Sequence, residues 1–191
     1  MTAHRRHPAS QTFGPFAVSR LACVAALGIA VLVIILWPGF VPQASGQPLA
    51  RSSLEVVPAT IHAGERRLAL DVEVARTSAE RSRGLMGREH LDADAGMLFL
   101  YDRKQAANNG FWMYRTLIPL DIAFLDEKGR IVALHSMVPC GSERPGDCPV
   151  TTPGVPYQAA LEVNAGYFAE HTIGIGDCVS WAGANACKDT P

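Results

Sequence analysis

The residues after position 53 predict a mainly β fold, a small barrel or sandwich of about seven short strands with two short helices. Three observations carry this. Apolar residues recur at every second position in some segments and in short unbroken runs in others. Gly, Pro, Asn and Asp punctuate the chain between these runs. Strand and helix patterns never alternate with the regularity of a nucleotide-binding fold. Runs that are apolar at consecutive positions suit strands covered on both faces, as in a closed or double-layered sheet.

The elements follow in order. RLALDVEVA alternates cleanly, with Leu68, Leu70, Val72 and Val74 on one face and Ala69, Asp71 and Glu73 on the other. It is a half-buried strand whose acids face solvent. In TSAERSRGLMG, Thr77 and Glu80 have capping-box spacing, predicting a helix of about two turns that ends at Gly84 or Gly87. GMLFLY is a continuously apolar strand, DRKQAANNG a loop with an Asn109-Gly110 turn, and FWMYR a strand. DIAFLD and RIVALHSMV pair through a tight turn at 126–129, Gly129 taking the left-handed position. YQAALEVN is a further strand. Asn164 stands where it can cap the short helix AGYFAEHT, and VSWA closes the sheet.

The amino-terminal part has a different character. A basic segment, residues 1–20, precedes the uncharged run LACVAALGIAVLVIIL and then Trp37-Pro38-Gly39. Residues 21–41 are thus a hydrophobic helix, read as an uncleaved membrane anchor or alternatively as a signal peptide cut after the small residues Ala44-Ser45-Gly46. Arg5, Arg6 and Arg20 mark the cytoplasmic side, so the linker 42–53 and the domain 54–191 are expected outside the cytoplasm, tethered to the membrane or released into the periplasm. Those three arginines belong to the chain's 17 basic residues, and all 18 acidic residues follow them; the rest of the chain therefore has 14 basic against 18 acidic side chains. That balance predicts no nucleic-acid partner.

Four of the five cysteines, Cys140, Cys148, Cys178 and Cys187, lie in the exported part. An even number in an oxidising compartment suggests disulfides, with the local pairings Cys140–Cys148 and Cys178–Cys187 favoured. The absence of C-x-x-C argues against zinc, and no metal or cofactor is expected. There is no G-x-S-x-G, P-loop, H-E-x-x-H or G-x-G-x-x-G motif.

The ordered motifs RSRGLMGRE, GMLFLY, FWMYRTLIPLDIAFLDEKGRIV, the Met-x-Pro-Cys of residues 137–140, the proline-rich loop up to Tyr157, and LEVNAG resemble the widespread prokaryotic family known as domain of unknown function 192. The likeness spans roughly residues 55–181. It implies a compact β fold of sandwich or barrel type and no particular activity. The family pattern usually has Lys-Asn after its Trp-Met pair, where this chain has Tyr114-Arg115.

Candidate site residues cluster around FWMYRTLIPLD. Trp112 and Tyr114 share one strand face, and Trp112 offers an aromatic plane with an N–H handle. Thr116 and Asp121 flank a corner fixed by Pro119; if the face of Asp121 is inward, its carboxylate needs partners. Arg83, just ahead of Gly84-Leu85-Met86, can pair with an acid or recognise an anion. Glu162 stands between Leu161 and Val163. The leading expectation is an envelope accessory domain that binds a small polar or saccharide-like ligand, or an envelope protein, through Trp112, Thr116, Asp121, Arg83 and Glu162. One alternative is a hydrolase using Asp121 and Glu162 as an acid pair. Another is copper handling through His135 and Met86, Met97, Met113 and Met137, soft ligands suited to Cu(I).

Overall fold

In a computed structural model of the protein, residues 54–184 and 187 are described. The basic segment, the hydrophobic helix of 21–41 and the linker lie outside the described residues, and among those described no helix is long and apolar enough to cross a membrane. Nine strands are present among the described residues: β1 (Val56–Ala63), β2 (Arg66–Ala75), β3 (Ala95–Gln105), β4 (Phe111–Trp112), β5 (Leu120–Leu125), β6 (Ile131–Met137), β7 (Val150–Thr151), β8 (Tyr157–Asn164) and β9 (Cys178–Trp181). Two short helices accompany them, α1 (Ser78–Arg83) and α2 (Tyr167–Glu170).

Seven strands form one sheet in the order β6-β5-β8-β3-β2-β1-β9, and β4 pairs with β7 as a separate ribbon. Every pair is antiparallel except β2–β3, whose connection carries α1. The sheet curls into a half-barrel, not the closed barrel or two-sheet sandwich expected from the sequence. The edges approach each other at one end, where the described residues form a lone bridge between Arg130 and Cys178. β9 has only four residues, and its other edge meets the chain only at the start of β6, where Ile131 N–H donates to the Asp177 carbonyl and Val179 N–H to the Gly129 carbonyl.

Both faces of the sheet are covered, which explains the unbroken apolar runs. The concave face holds Ile61, Val72, Leu98, Leu125, Leu161, Val163 and Val179, closed by Tyr167 and Phe168 of α2. The convex face holds Met97, Phe99, Ile122, Phe124 and Ala160, covered by Leu85 after α1 and by Phe111 and Met113. All six residues of β5 are buried because this strand is covered on both faces.

Several local readings hold. Thr77 and Glu80 form the capping box of α1, and Gly84 ends the helix at φ 47°. Gly129, at φ 75°, closes the 126–129 turn through its N–H to the Asp126 carbonyl. Both disulfides, Cys140–Cys148 and Cys178–Cys187, pair locally as expected.

Three details differ. FWMYR is not a full strand: β4 stops at Trp112, because Arg115 takes the left-handed conformation at φ 55° and turns the chain. β3 runs on to Gln105, through residues read as loop. Asn164 does not cap α2. Its amide donates to the Leu91 and Asp92 carbonyls, and Gly166 is the N-cap.

Candidate functional site

The five candidate residues divide between the two faces of the sheet. β5 and β8 are antiparallel neighbours in which Asp121 pairs with Val163 and Ile122 with Glu162. Cross-strand partners share a face and consecutive residues alternate. Asp121 therefore turns to the concave side and Glu162 to the convex side, and the acid pair suggested by the sequence does not form.

Asp121 is 4% exposed and fully engaged. Its Oδ1 accepts from the Ser136 hydroxyl at 2.6 Å and its Oδ2 accepts from the Gly166 N–H at 2.9 Å. It thereby ties β5, β6 and the start of α2 together, the work of a structural corner carboxylate. A shallow cavity of about 260 Å³ lies beside it, lined with Leu134, His135, Ser136, Phe168 and Ile173. It contains none of the other four candidates.

Those four come together on the convex face. Arg83, Trp112, Thr116 and Glu162 line one small cavity of about 20 Å³, and Arg81, Met86, Phe99 and Phe111 are among its other walls. The local sequence builds it. Gly84, in the left-handed region, reverses the chain at the end of α1 directly over the Phe99 ring, which lies 3.4 Å from where a Cβ would stand. The loop after it is fastened to the 113–116 turn by the Gly87 N–H, which donates to the Arg115 carbonyl at 2.8 Å. That turn is held in its own right by the Thr116 N–H on the Met113 carbonyl. The cavity sits in the seam between the two loops, with Glu162 as its floor.

Glu162 is 4% exposed, and its carboxyl has no hydrogen-bond partner among the described residues. Burial pushes its pKa up to about 8, so it is a neutral carboxylic acid at pH 7, able to donate a proton in a hydrogen bond. Thr116 is buried at 6% exposure and adds a hydroxyl. Trp112 is 40% exposed and stands at the mouth, stacked at a tilt on Tyr114 with centroids 5.6 Å apart. Arg83 has no ion pair or hydrogen bond among the described residues. Arg81 also lines the cavity, but its guanidinium is committed: it lies 4.6 Å over the Tyr101 ring and donates to the Leu100 carbonyl.

One carboxylate does share the face of Glu162. Glu73, Met97 and Glu162 are successive cross-strand partners on β2, β3 and β8. Two strand spacings, about 10 Å, and the Met97 side chain thus separate Glu73 from Glu162. Glu73 is not a solvated strand acid, as its alternation suggested; Arg88 pairs with its Oε1 and its Oε2 is buried without a partner. Met97, Met113 and Met137 are packed within the convex core, whereas Met86 faces the cavity. His135 shares the Phe124 side of the sheet, ring centroids 6.0 Å apart. Among the described residues no three His, Cys, Asp or Glu side chains converge as for a metal.

A larger cavity, about 290 Å³, lies elsewhere and is lined with Arg76, Asp102, Asp126, Glu127, Gln158 and Trp181. Its charged groups are largely committed: Arg76 to Glu55, Glu127 to Lys104, and Asp126 to the N–H groups of Lys128 and Arg130. Sequence reasoning named Met86 only as a copper candidate and missed the aromatic walls Phe99 and Phe111 as site-lining residues. The one-dimensional signal of these two aromatics is that of core residues, which they also are.

The chain resembles known proteins in two comparisons. Residues 59–181 match the family DUF192, described as an uncharacterized ACR. A solved structure of a protein of unknown function from Novosphingobium aromaticivorans DSM 12444 is similar at 37% identity and a TM-score of 0.61, covering 68% of this chain and 88% of that one. A candidate transcription regulator from Sinorhizobium meliloti 1021 is similar at 29% identity and a TM-score of 0.62, covering 70% of this chain and 98% of that one. No curated protein matches. With the match running through β1 to β9 and across both loops of the Glu162 seam, the chain belongs to the DUF192 family.

Proposed function

We propose that residues 54–191 are a non-catalytic binding module of the cell envelope, and that the ligand site is the Glu162 cavity. The observation that carries this is a carboxyl, 4% exposed and without a hydrogen bond from any described residue, that lines one cavity with the buried Thr116, the exposed Arg83 and the exposed Trp112. The Glu162 oxygens are not among the sealed atoms without a partner, so they open onto the cavity, where a water or a ligand group completes their hydrogen bonding. The ligand-binding centre suggested by the sequence thereby moves off Asp121, whose oxygens are already occupied, and onto Glu162.

Two further observations support the extracytoplasmic setting. Both cysteine pairs are joined, as suits an oxidising compartment, and the run at 21–41 follows only basic charges. The reading takes no nucleic acid, since the domain's acidic excess opposes the phosphate backbone. In this it departs from the regulator role suggested for the Sinorhizobium protein.

The test is thermal unfolding of the full-length chain in detergent with a panel of small neutral, anionic and cationic compounds, monosaccharides included. A ligand of the folded state raises the midpoint by linkage. The expected result is a shift in wild type that vanishes in both Trp112→Ala and Thr116→Val. A shift that both variants retain would place the ligand elsewhere.

A further inference from the structure

The charges around the cavity narrow the ligand class. We infer that the Glu162 cavity receives one oxygen of the carboxylate of a small organic acid, whose body lies outside against Trp112. This rests on the binding role proposed above and deepens it.

Size comes first. A volume of about 20 Å³ admits one water-sized atom, so a ligand places a single polar atom inside and the rest of its head group stays at the rim beside Arg83. Trp112 at the mouth offers the rest of the molecule an apolar plane.

Charge comes second. Each packed element contributes what faces Glu162. From α1 and its loop come Arg83, without a partner, and Arg81, held over Tyr101. From the 113–116 turn comes Arg115, whose guanidinium lies 5.1 Å from the Tyr114 ring centroid. β2 presents Glu73, paired with Arg88, and β3 presents Tyr101, whose phenol is raised chiefly by burial. β5 places Ile122 and Phe124 on this side, and β6 places His135 beyond Ile122. β8 itself adds the apolar Ala160 and the neutral Tyr157. With Glu162 protonated, the surplus charge around the seam is positive.

The donors agree with an anion. A neutral Glu162 gives one O–H, Thr116 one O–H, and Arg83 a planar fork of N–H groups that matches a carboxylate. A cationic head would meet arginines and a carboxyl with no charge to offer. Ionising Glu162 would place a negative charge against the bound carboxylate, so binding must weaken as pH rises through the Glu162 titration, which burial holds near pH 8.

Benzoate and its neutral isostere benzamide separate the possibilities by calorimetric titration on the full-length chain. The expected result is benzoate binding at pH 6.5 that weakens about tenfold per pH unit above pH 8. Arg83→Gln should weaken it at least tenfold at pH 6.5. Glu162→Gln, which keeps a neutral donor, should retain binding and lose the pH dependence. Far-ultraviolet dichroism and the unfolding midpoint establish that each variant is folded. Benzamide binding in place of benzoate, lost in Thr116→Val, would overturn the anion class while leaving the site in place. Benzoate binding that Arg83→Gln and Glu162→Gln leave unaltered in affinity and pH profile would overturn the inference. Neither compound binding, together with no Thr116-dependent hit in the broad panel, would overturn both the inference and the proposed function.

Discussion

Glu162 makes the folded protein sensitive to alkali in a way that one substitution should remove. Its carboxyl has a pKa of 4.5 when free and about 8 in the fold, with burial as the cause. The unfolded chain therefore releases this proton near pH 4.5, while the folded chain keeps it until about pH 8. Between those values the unfolded state binds fewer protons, so stability falls as pH rises, and the loss levels off above pH 8. Each pKa unit corresponds to about 1.4 kcal/mol, so the group costs on the order of 3 kcal/mol by pH 7 and more by pH 8. For a domain of this size each kcal/mol moves the midpoint by about 2–4 °C. Glu162→Gln does not titrate, and every other group is common to both proteins. The midpoint of the variant minus that of wild type should thus climb by roughly 10 °C from pH 4.5 to pH 8 and then flatten. Differential scanning calorimetry of the full-length chain at five pH values reads this directly. A difference constant across the range would mean that Glu162 ionises normally and is solvated, and the cavity argument would fall with it.

Asp121→Asn should lower stability by about 1–3 kcal/mol, since the amide cannot accept from both Ser136 and Gly166 without a mismatched donor, while benzoate binding stays unchanged; urea unfolding measures the first and calorimetric titration the second. Arg115→Asn should stabilise by about 0.5–1 kcal/mol, because Asn tolerates the left-handed conformation better than Arg does, and the denaturation midpoint reports it. Gly110→Ala should destabilise by more than about 2 kcal/mol. Its Cβ would stand 2.4 Å from the Thr151 carbonyl oxygen and force the β4–β7 ribbon apart, visible as a lowered melting midpoint. Replacing Cys140 and Cys148 by Ser should cost about 2–3 kcal/mol, as expected for opening so short a loop, by equilibrium denaturation of oxidised protein.

Much of the fold was legible because it rests on local chemistry. The capping box at Thr77 and Glu80, the turn at Gly129 and the alternation in β2 each announce themselves within a few residues. What was not legible is pairing. Asp121 and Glu162 read alike in sequence, each an acid among apolar neighbours, and only the β5–β8 register assigns them to opposite faces. A shift of one residue would have put both on the same side. Glu73 shows the same limit: strict alternation made it a solvent-facing acid, and the parallel pairing with β3 brings it beneath Arg88 instead. Closure was beyond reach for a related reason, since whether the sheet becomes a barrel depends on how far the outer edge of β9 runs alongside β6, and here the two meet in a single bridge at Arg130 and Cys178. The departure at Tyr114-Arg115 gains a physical meaning in the fold. Position 115 needs φ near 55°, which suits the family's usual Asn, and Arg occupies it at some conformational cost.

The two buried carboxylates, each 4% exposed, differ in what the fold does with them. Asp121 receives a hydroxyl and a backbone N–H, and removing them would undo a corner. Glu162 receives no hydrogen bond from any described residue, and its neighbours across the ladder, Met97 and Ile122, are apolar. Folding alone would be served as well by a hydrocarbon of the same volume at 162, because a carboxyl taken out of bulk water without a hydrogen bond from the protein is a net loss. Sequences that specify a fold keep local choices consistent with it, and the exceptions gather where something other than folding is selected. Position 162 is such an exception, and it lies at the one place where Arg83, Thr116 and Trp112 also meet. The same group that weakens the domain at high pH is therefore the group through which a ligand would strengthen it.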